Sequence, residues 1–115
     1  MSNYTTTTLI DALNKGAVDF KSVIQVIDSE YKFIPTRFVN GHQVNEADTN
    51  NGSCKIFGFA KLNGLNEQAT LNAFGDFYAV DVLQNPEKED HQNIRNFMKS
   101  GWAGIKFDGD SVVKK

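Results

Sequence analysis

The sequence predicts a mainly α, α+β domain of about five short helices with two or three short strands. Apolar residues recur at helical spacing in several capped segments, which predicts the helices. A β-rich arm interrupted by Pro35 and ending in Asn40-Gly41 predicts extended chain over 33–39, with 42–44 as a hairpin partner. The closing run Ile105-Lys106-Phe107-Asp108 alternates apolar and polar residues, which predicts a half-buried strand over 104–108. At 115 residues with 40% hydrophobic content, one domain spanning 1–115 has enough apolar material for one core.

Taken in order, the polar head Ser2-Asn3-Tyr4-Thr5-Thr6-Thr7 reads as unfolded over 1–7, with Thr8 capping a short, dispensable helix that carries Leu9, Ile10 and Leu13 and stops at a left-handed Gly16. A polar export signal is the other reading of that head. Asp19 caps the clearest helix, with Phe20, Val23, Ile24 and Ile27 on one stripe. The arm 33–39 and its hairpin follow, and then a polar loop from Asn45 to Gly52 without periodicity. Ser53 caps a helix with Ile56, Phe59 and Ala60 inward, closed by Gly64. Asn66 opens one continuous helix through Leu71, Phe74, Tyr78 and Val82, weakened or closely approached at Gly75 and ended by Asn85-Pro86. Asp90 caps the last helix, with Ile94, Phe97 and Met98 inward, Gly101 as its stop and Trp102 folding back. Strand 104–108 is a partner for the 33–39 arm.

The charge balance, 12 basic against 14 acidic residues, has no basic cluster before Lys114-Lys115, which argues against a nucleic-acid partner. No apolar run approaches the roughly 20 residues that cross a bilayer, and no basic-then-apolar leader opens the chain. One cysteine forms no internal disulfide, so a reduced thiol and a cytoplasmic location are expected.

Four blocks carry a family likeness: Phe33-Ile34-Pro35-Thr36-Arg37-Phe38-Val39-Asn40-Gly41; Asn50-Asn51-Gly52-Ser53-Cys54-Lys55-Ile56-Phe57; Phe74-Gly75-Asp76-Phe77-Tyr78; and Asp90-His91-Gln92-Asn93-Ile94-Arg95-Asn96-Phe97-Met98 with Gly101-Trp102. Together they resemble the HopJ type III effector family of small bacterial proteins, from the second helix to Phe107. The resemblance implies a bacterial protein, with secretion by a type III system suggested by the family label. It carries over no catalytic residue and no cofactor.

Two chemistries compete for the polar segments. Cys54 near a helix start and His91 at another could form a thiol–imidazole pair, the thiolate favoured by the helix dipole, in a cysteine-dependent hydrolase or transferase. Alternatively, Asn45, Glu46, Asn50, Asn51, Lys55, Asn93, Arg95 and Asn96, with His91 among them, present amides and charges around a cleft. That set suits a sugar, a peptide backbone or another polar ligand, and predicts a binding module built on loop 45–55 and the start of the last helix. The bland reading assigns many of these Asn residues to turns and helix ends, and Cys54 to packing. Metal binding through His42, His91, Glu46, Asp48 and Asp90 lacks local ligand spacing, and Asp48–Gly52 fails as a calcium loop because Phe59 stands where a bidentate Glu is required. No cofactor is expected. The aromatic residues read as core, with Phe57 and Phe77 left for a surface or a dimer contact. The sequence fixes neither the partner, a protein or a small polar molecule, nor the oligomeric state.

Overall fold

The computed structural model describes residues 4–115; Met1, Ser2 and Asn3, the first part of the expected head, lie outside the described residues. Helix α1 spans Thr6–Leu13, and its cap is Thr5, not Thr8. In a run of four threonines several could cap; Thr5 is selected because its hydroxyl takes the Thr8 N–H while Thr8 returns a bond to the Thr5 N–H. Leu9 and Leu13 are fully buried and Thr6 bonds Glu30 at 2.7 Å, so α1 belongs to the core assembly. Its stop is Asn14, and Gly16 does not adopt a left-handed conformation.

Helix α2, Phe20–Glu30, is capped by Asp19 as expected and buries Val23, Val26 and Ile27. It runs directly into β1, Tyr31–Phe33, which pairs antiparallel with β5, Val112–Lys114. The second sheet has β2, Phe38–Asn40, in the centre, flanked by β3, Gln43–Asn45, and β4, Ile105–Phe107, both antiparallel. The hairpin and the pairing of the arm with the closing strand are therefore present. β1 and β5 add a sheet that local patterning does not signal.

Helix α3, Asn51–Leu62, runs through the middle of the core. Ile56, Phe57, Phe59 and Ala60 are all fully buried, and a Cβ at Gly58 would collide with Ser111 and Val112, so β5 lies against the helix backbone. Phe57 is thus no surface residue: its ring meets those of Phe38, Phe74, Phe97 and Trp102.

The helix expected from Asn66 to Val82 is broken. Helix α4, Glu67–Asn72, is capped by Asn66, and a π-helix occupies Phe77–Val82. The break falls at Gly75, where φ is +60° and a Cβ would stand 2.7 Å from the Val18 carbonyl oxygen and 2.9 Å from the Phe20 nitrogen. Only glycine combines that backbone turn with that closeness. The π-helix wraps one extra residue per turn, marked by the Leu83 N–H donating to Tyr78 O at 3.0 Å.

Helix α5, Gln92–Ser100, places Ile94 and Phe97 in the core, but Met98 is exposed. After Gly101, at φ +60°, a 3-10 turn over Gly101–Gly104 folds Trp102 edge-on to Phe97, 5.1 Å between ring centroids, and its indole N–H donates to Leu65 O at 3.0 Å. No helix of the described residues is long and apolar enough to cross a membrane.

Candidate functional site

The polar segments meet through amide chemistry. Asn40 ends β2, Asn45 ends β3 and Asn93 sits in the first turn of α5; the three are almost completely buried, at 0%, 1% and 6% exposure. A buried amide must find partners, and these find one another, with Asn40 Oδ1 the one oxygen of the three left without a partner among the described residues. Asn45 Nδ2 donates to the Phe38 carbonyl at 3.4 Å, which fixes which end of that amide faces which way. Asn45 Oδ1 consequently accepts from Asn93 at 3.0 Å, from Asn50 at 2.7 Å and from Gln43 at 3.3 Å. Asn93 Oδ1 in turn accepts from Asn45 at 3.2 Å and from Asn40 at 3.0 Å. The hairpin, the start of α3 and the start of α5 are joined at this point.

Above the network lies an open cleft of about 360 Å³. Asn50, Gly52 and Ser53 form one wall, His91, Gln92 and Asn93 a second, and Phe20 and Phe77 a third. Two of its corner residues, Asn50 and His91, have left-handed backbones at φ +49° and +53°, each as the N-cap of its helix and neither making a side-chain cap bond. Such strain in residues with a Cβ persists only where the surroundings impose it. His91 is held by Asp81 of the π-helix, Nε2 to Oδ2 at 3.1 Å, with Asp90 Oδ2 at 3.8 Å, and its ring packs on Phe77 at 5.2 Å. The π-helix therefore supplies both an aromatic wall and the carboxylate that sets the imidazole.

The remaining expected residues are placed as follows. Asn50, His91 and Asn93 line the cleft and Asn45 anchors it from beneath. Asn96 supports Gln43 at 3.3 Å from behind. Arg95 points away: its guanidinium bonds the Asp90 carboxylate at 2.7 Å and the Asp90 and Pro86 carbonyls, bracing the 86–90 turn. That contact, foremost among its causes, holds the Asp90 carboxyl below its ordinary range. Lys55 pairs with Asp28 at 2.8 Å and lies over the Phe33 ring, Glu46 approaches Arg37 at 3.6 Å, and Asn51 donates to Asp48 at 2.9 Å. Arg95, Lys55, Glu46 and Asn51 do not line the cleft.

Cys54 is not among the lining residues either. Its thiol is 1% exposed and donates to the Thr36 carbonyl at 3.5 Å, while the Cys54 carbonyl accepts from Ser111 at 3.5 Å. The expected cap at Ser53 put the thiol at the first helical position; the helix in fact starts at Asn51, so Cys54 is one turn in and its N–H already bonds Asn50 O at 3.0 Å. Burial, the largest influence, raises the thiol pKa. A raised thiol pKa means the folded state keeps its proton longer than the unfolded chain. Its contribution to stability is therefore present at neutral pH and falls as pH rises beyond the free-thiol range near about 8.5. Alkylation of Cys54 by iodoacetamide at neutral pH is expected to be slow in the folded protein, rapid after unfolding, and unchanged by His91→Ala. A fast native reaction that slows in that variant would restore the thiol–imidazole pair.

Sequence reasoning missed Asp81, Gln43, Ser53 as a wall residue, Phe20, Phe77 and Gln92. The i and i+4 placement of Phe77 and Asp81 was a usable signal: both face one way from a segment preceding His91.

Two comparisons bear on this arrangement. The family model for the HopJ type III effector protein matches residues 6–112. The chain belongs to the HopJ family. A HopJ-like fold is also seen in a crystal structure of a protein of unknown function, VPA0580, which is 46% identical, superposes with a TM-score of 0.94, and is matched over 100% of this chain and 97% of that one. Among curated proteins none matches.

Proposed function

We propose that this HopJ protein is a ligand-binding module whose working surface is the cleft between the starts of α3 and α5. The observation that carries this reading is the convergence, on one concave surface, of two strained helix caps and an imidazole set by a π-helix carboxylate. Each is a costly local feature, and the buried amide network beneath holds them in register. A site of that size, part aromatic and part polar, has the makings of a pocket for a small polar ligand. The thiol route finds less support, since Cys54 and His91 each engage other partners. The family's name adds delivery by a type III system to this reading, from a bacterium in whose cytoplasm the protein is made.

The test blocks the cleft. The Ser53 side chain makes no hydrogen bond among the described residues, so Ser53→Trp is expected to fill the cleft while leaving the unfolding free energy within about 0.5 kcal/mol of the parent. Small polar compounds that raise the melting temperature of the parent should lose that effect in the blocked variant. Ligands that stabilise both proteins equally would place binding elsewhere.

A further inference from the structure

We infer that the cleft takes an uncharged, hydroxyl-rich ring, a neutral sugar unit, with its apolar face on Phe77 and its hydroxyls on the amide wall. This rests on the binding reading above and names the ligand class. Three observations carry it.

First, the lining contains no Lys, Arg, Asp or Glu. A site for an anion or a cation normally supplies an opposite full charge, because a charged group leaving water is otherwise left uncompensated.

Second, the free hydrogen-bonding groups on the walls are uncharged donors and acceptors together, from amides, a hydroxyl and the first-turn N–H groups of α3 and α5. Asn50 gives one Nδ2–H to Asn45, which leaves its second N–H and its Oδ1 without a partner among the described residues. Gln92 gives one Nε2–H to the Glu89 carbonyl, which leaves its second N–H and its Oε1 likewise unpartnered among the described residues. His91 uses Nε2 toward Asp81, so Nδ1 is the ring atom left over, and the Ser53 hydroxyl is uncommitted. The orientation of Asn50 follows from the Phe38 carbonyl through Asn45, and that of Gln92 from a carbonyl directly, so a flipped amide would set oxygen against oxygen. Walls that both donate and accept match a ligand whose own groups do both, whereas a carboxylate or phosphate only accepts and would leave the wall oxygens unpaired. A sugar hydroxyl donates to such oxygens and still accepts from Ser53.

Third, Phe77 is 40% exposed, although Phe20 packs edge-on to its ring at 5.0 Å and the His91 ring lies 5.2 Å from it. An exposed aromatic surface beside amide oxygens offers both halves of what a sugar ring needs, C–H on one side and O–H at the rim.

The experiment uses the full chain, labelled with nitrogen-15, and follows its amide resonances during separate additions of maltose, cellobiose, chitobiose, galacturonic acid and inorganic phosphate. At least one neutral disaccharide is expected to shift the resonances of residues 50–53 and 91–94 saturably at millimolar concentration. Ser53→Ala and Phe77→Ala should each weaken that sugar about tenfold, the worth of one good contact, and Phe77→Trp should restore it. Ser53→Ala breaks no bond of the fold and so keeps the test valid should Phe77→Ala fail to fold. Shifts at these residues from galacturonate or phosphate alone overturn the neutral-sugar assignment and leave the binding reading standing. Silence from every neutral sugar overturns the assignment as well, and the blocked-cleft comparison then decides the binding reading separately.

Discussion

Replacing Phe57 by Ala is expected to lower the unfolding free energy by about 3–5 kcal/mol, a large part of what a small domain possesses. The ring is fully buried and lies 5.0 Å from Phe97, 5.5 Å from Phe74, 6.0 Å from Phe38 and 6.4 Å from Trp102. Those four rings come from β2, the turn after α4, α5 and the 3-10 turn, so truncation removes the contact through which α3 holds both the sheet and α5. Rigid partners on several sides also limit collapse into the void. Urea denaturation of Phe57→Ala beside Phe57→Leu gives the measurement. A loss below about 1 kcal/mol for the alanine variant would mean that the core repacks and that Phe57 is peripheral.

The second large effect is expected at Asn45. Asn45→Ala removes the bond to the Phe38 carbonyl and takes the acceptor away from Asn93, Asn50 and Gln43. Gln43 and Asn50 reach water, but Asn93 is 6% exposed and its Nδ2 is left buried without a partner. A stranded buried donor costs about 1–3 kcal/mol, and the lost bonds bring the expected total to about 2–4 kcal/mol. The same oxygen holds the hairpin, the Asn50 corner and the Asn93 corner together, so on the proposed binding reading ligand affinity is expected to fall as well. Asn96→Ala, which removes one partner from Gln43 at the edge of the network, should cost under about 1 kcal/mol. Equal losses for the two variants, by chemical denaturation, would deny Asn45 its central place.

What was legible in the chain follows a physical division. A helix with a strong apolar stripe and an ordinary cap, such as 20–30 under Asp19, is written locally and forms where expected, and the cap at Asn66 is likewise legible although the helix it opens stops at Asn72. The three-residue strands β1 and β5 are not, because Tyr31-Lys32-Phe33 and Val112-Val113-Lys114 become strands only by pairing across the chain. The starts of α3 and α5 were misjudged for one reason. Ser53 and Asp90 are strong capping residues by type, yet Asn50 and His91 hold the cap positions in left-handed backbones imposed by the network and by Asp81. Moving the start of α3 to Asn51 rotates Cys54 into the core and turns Gly52 and Ser53 toward the cleft. The expected meeting of loop 45–55 with the last helix is present, then, but with amides and an imidazole at its surface and the thiol away from it.

The claim that this cleft is the working site is most directly tested by residue-resolved mapping of amide shifts in the parent and in Ser53→Trp, with the same set of polar compounds added to each. Shifts that cluster at residues 50–53, 77 and 91–94 in the parent and vanish in the blocked variant are the expected result. Shifts that cluster around Cys54, Thr36 and Ser111, or that persist unchanged when the cleft is filled, would contradict it.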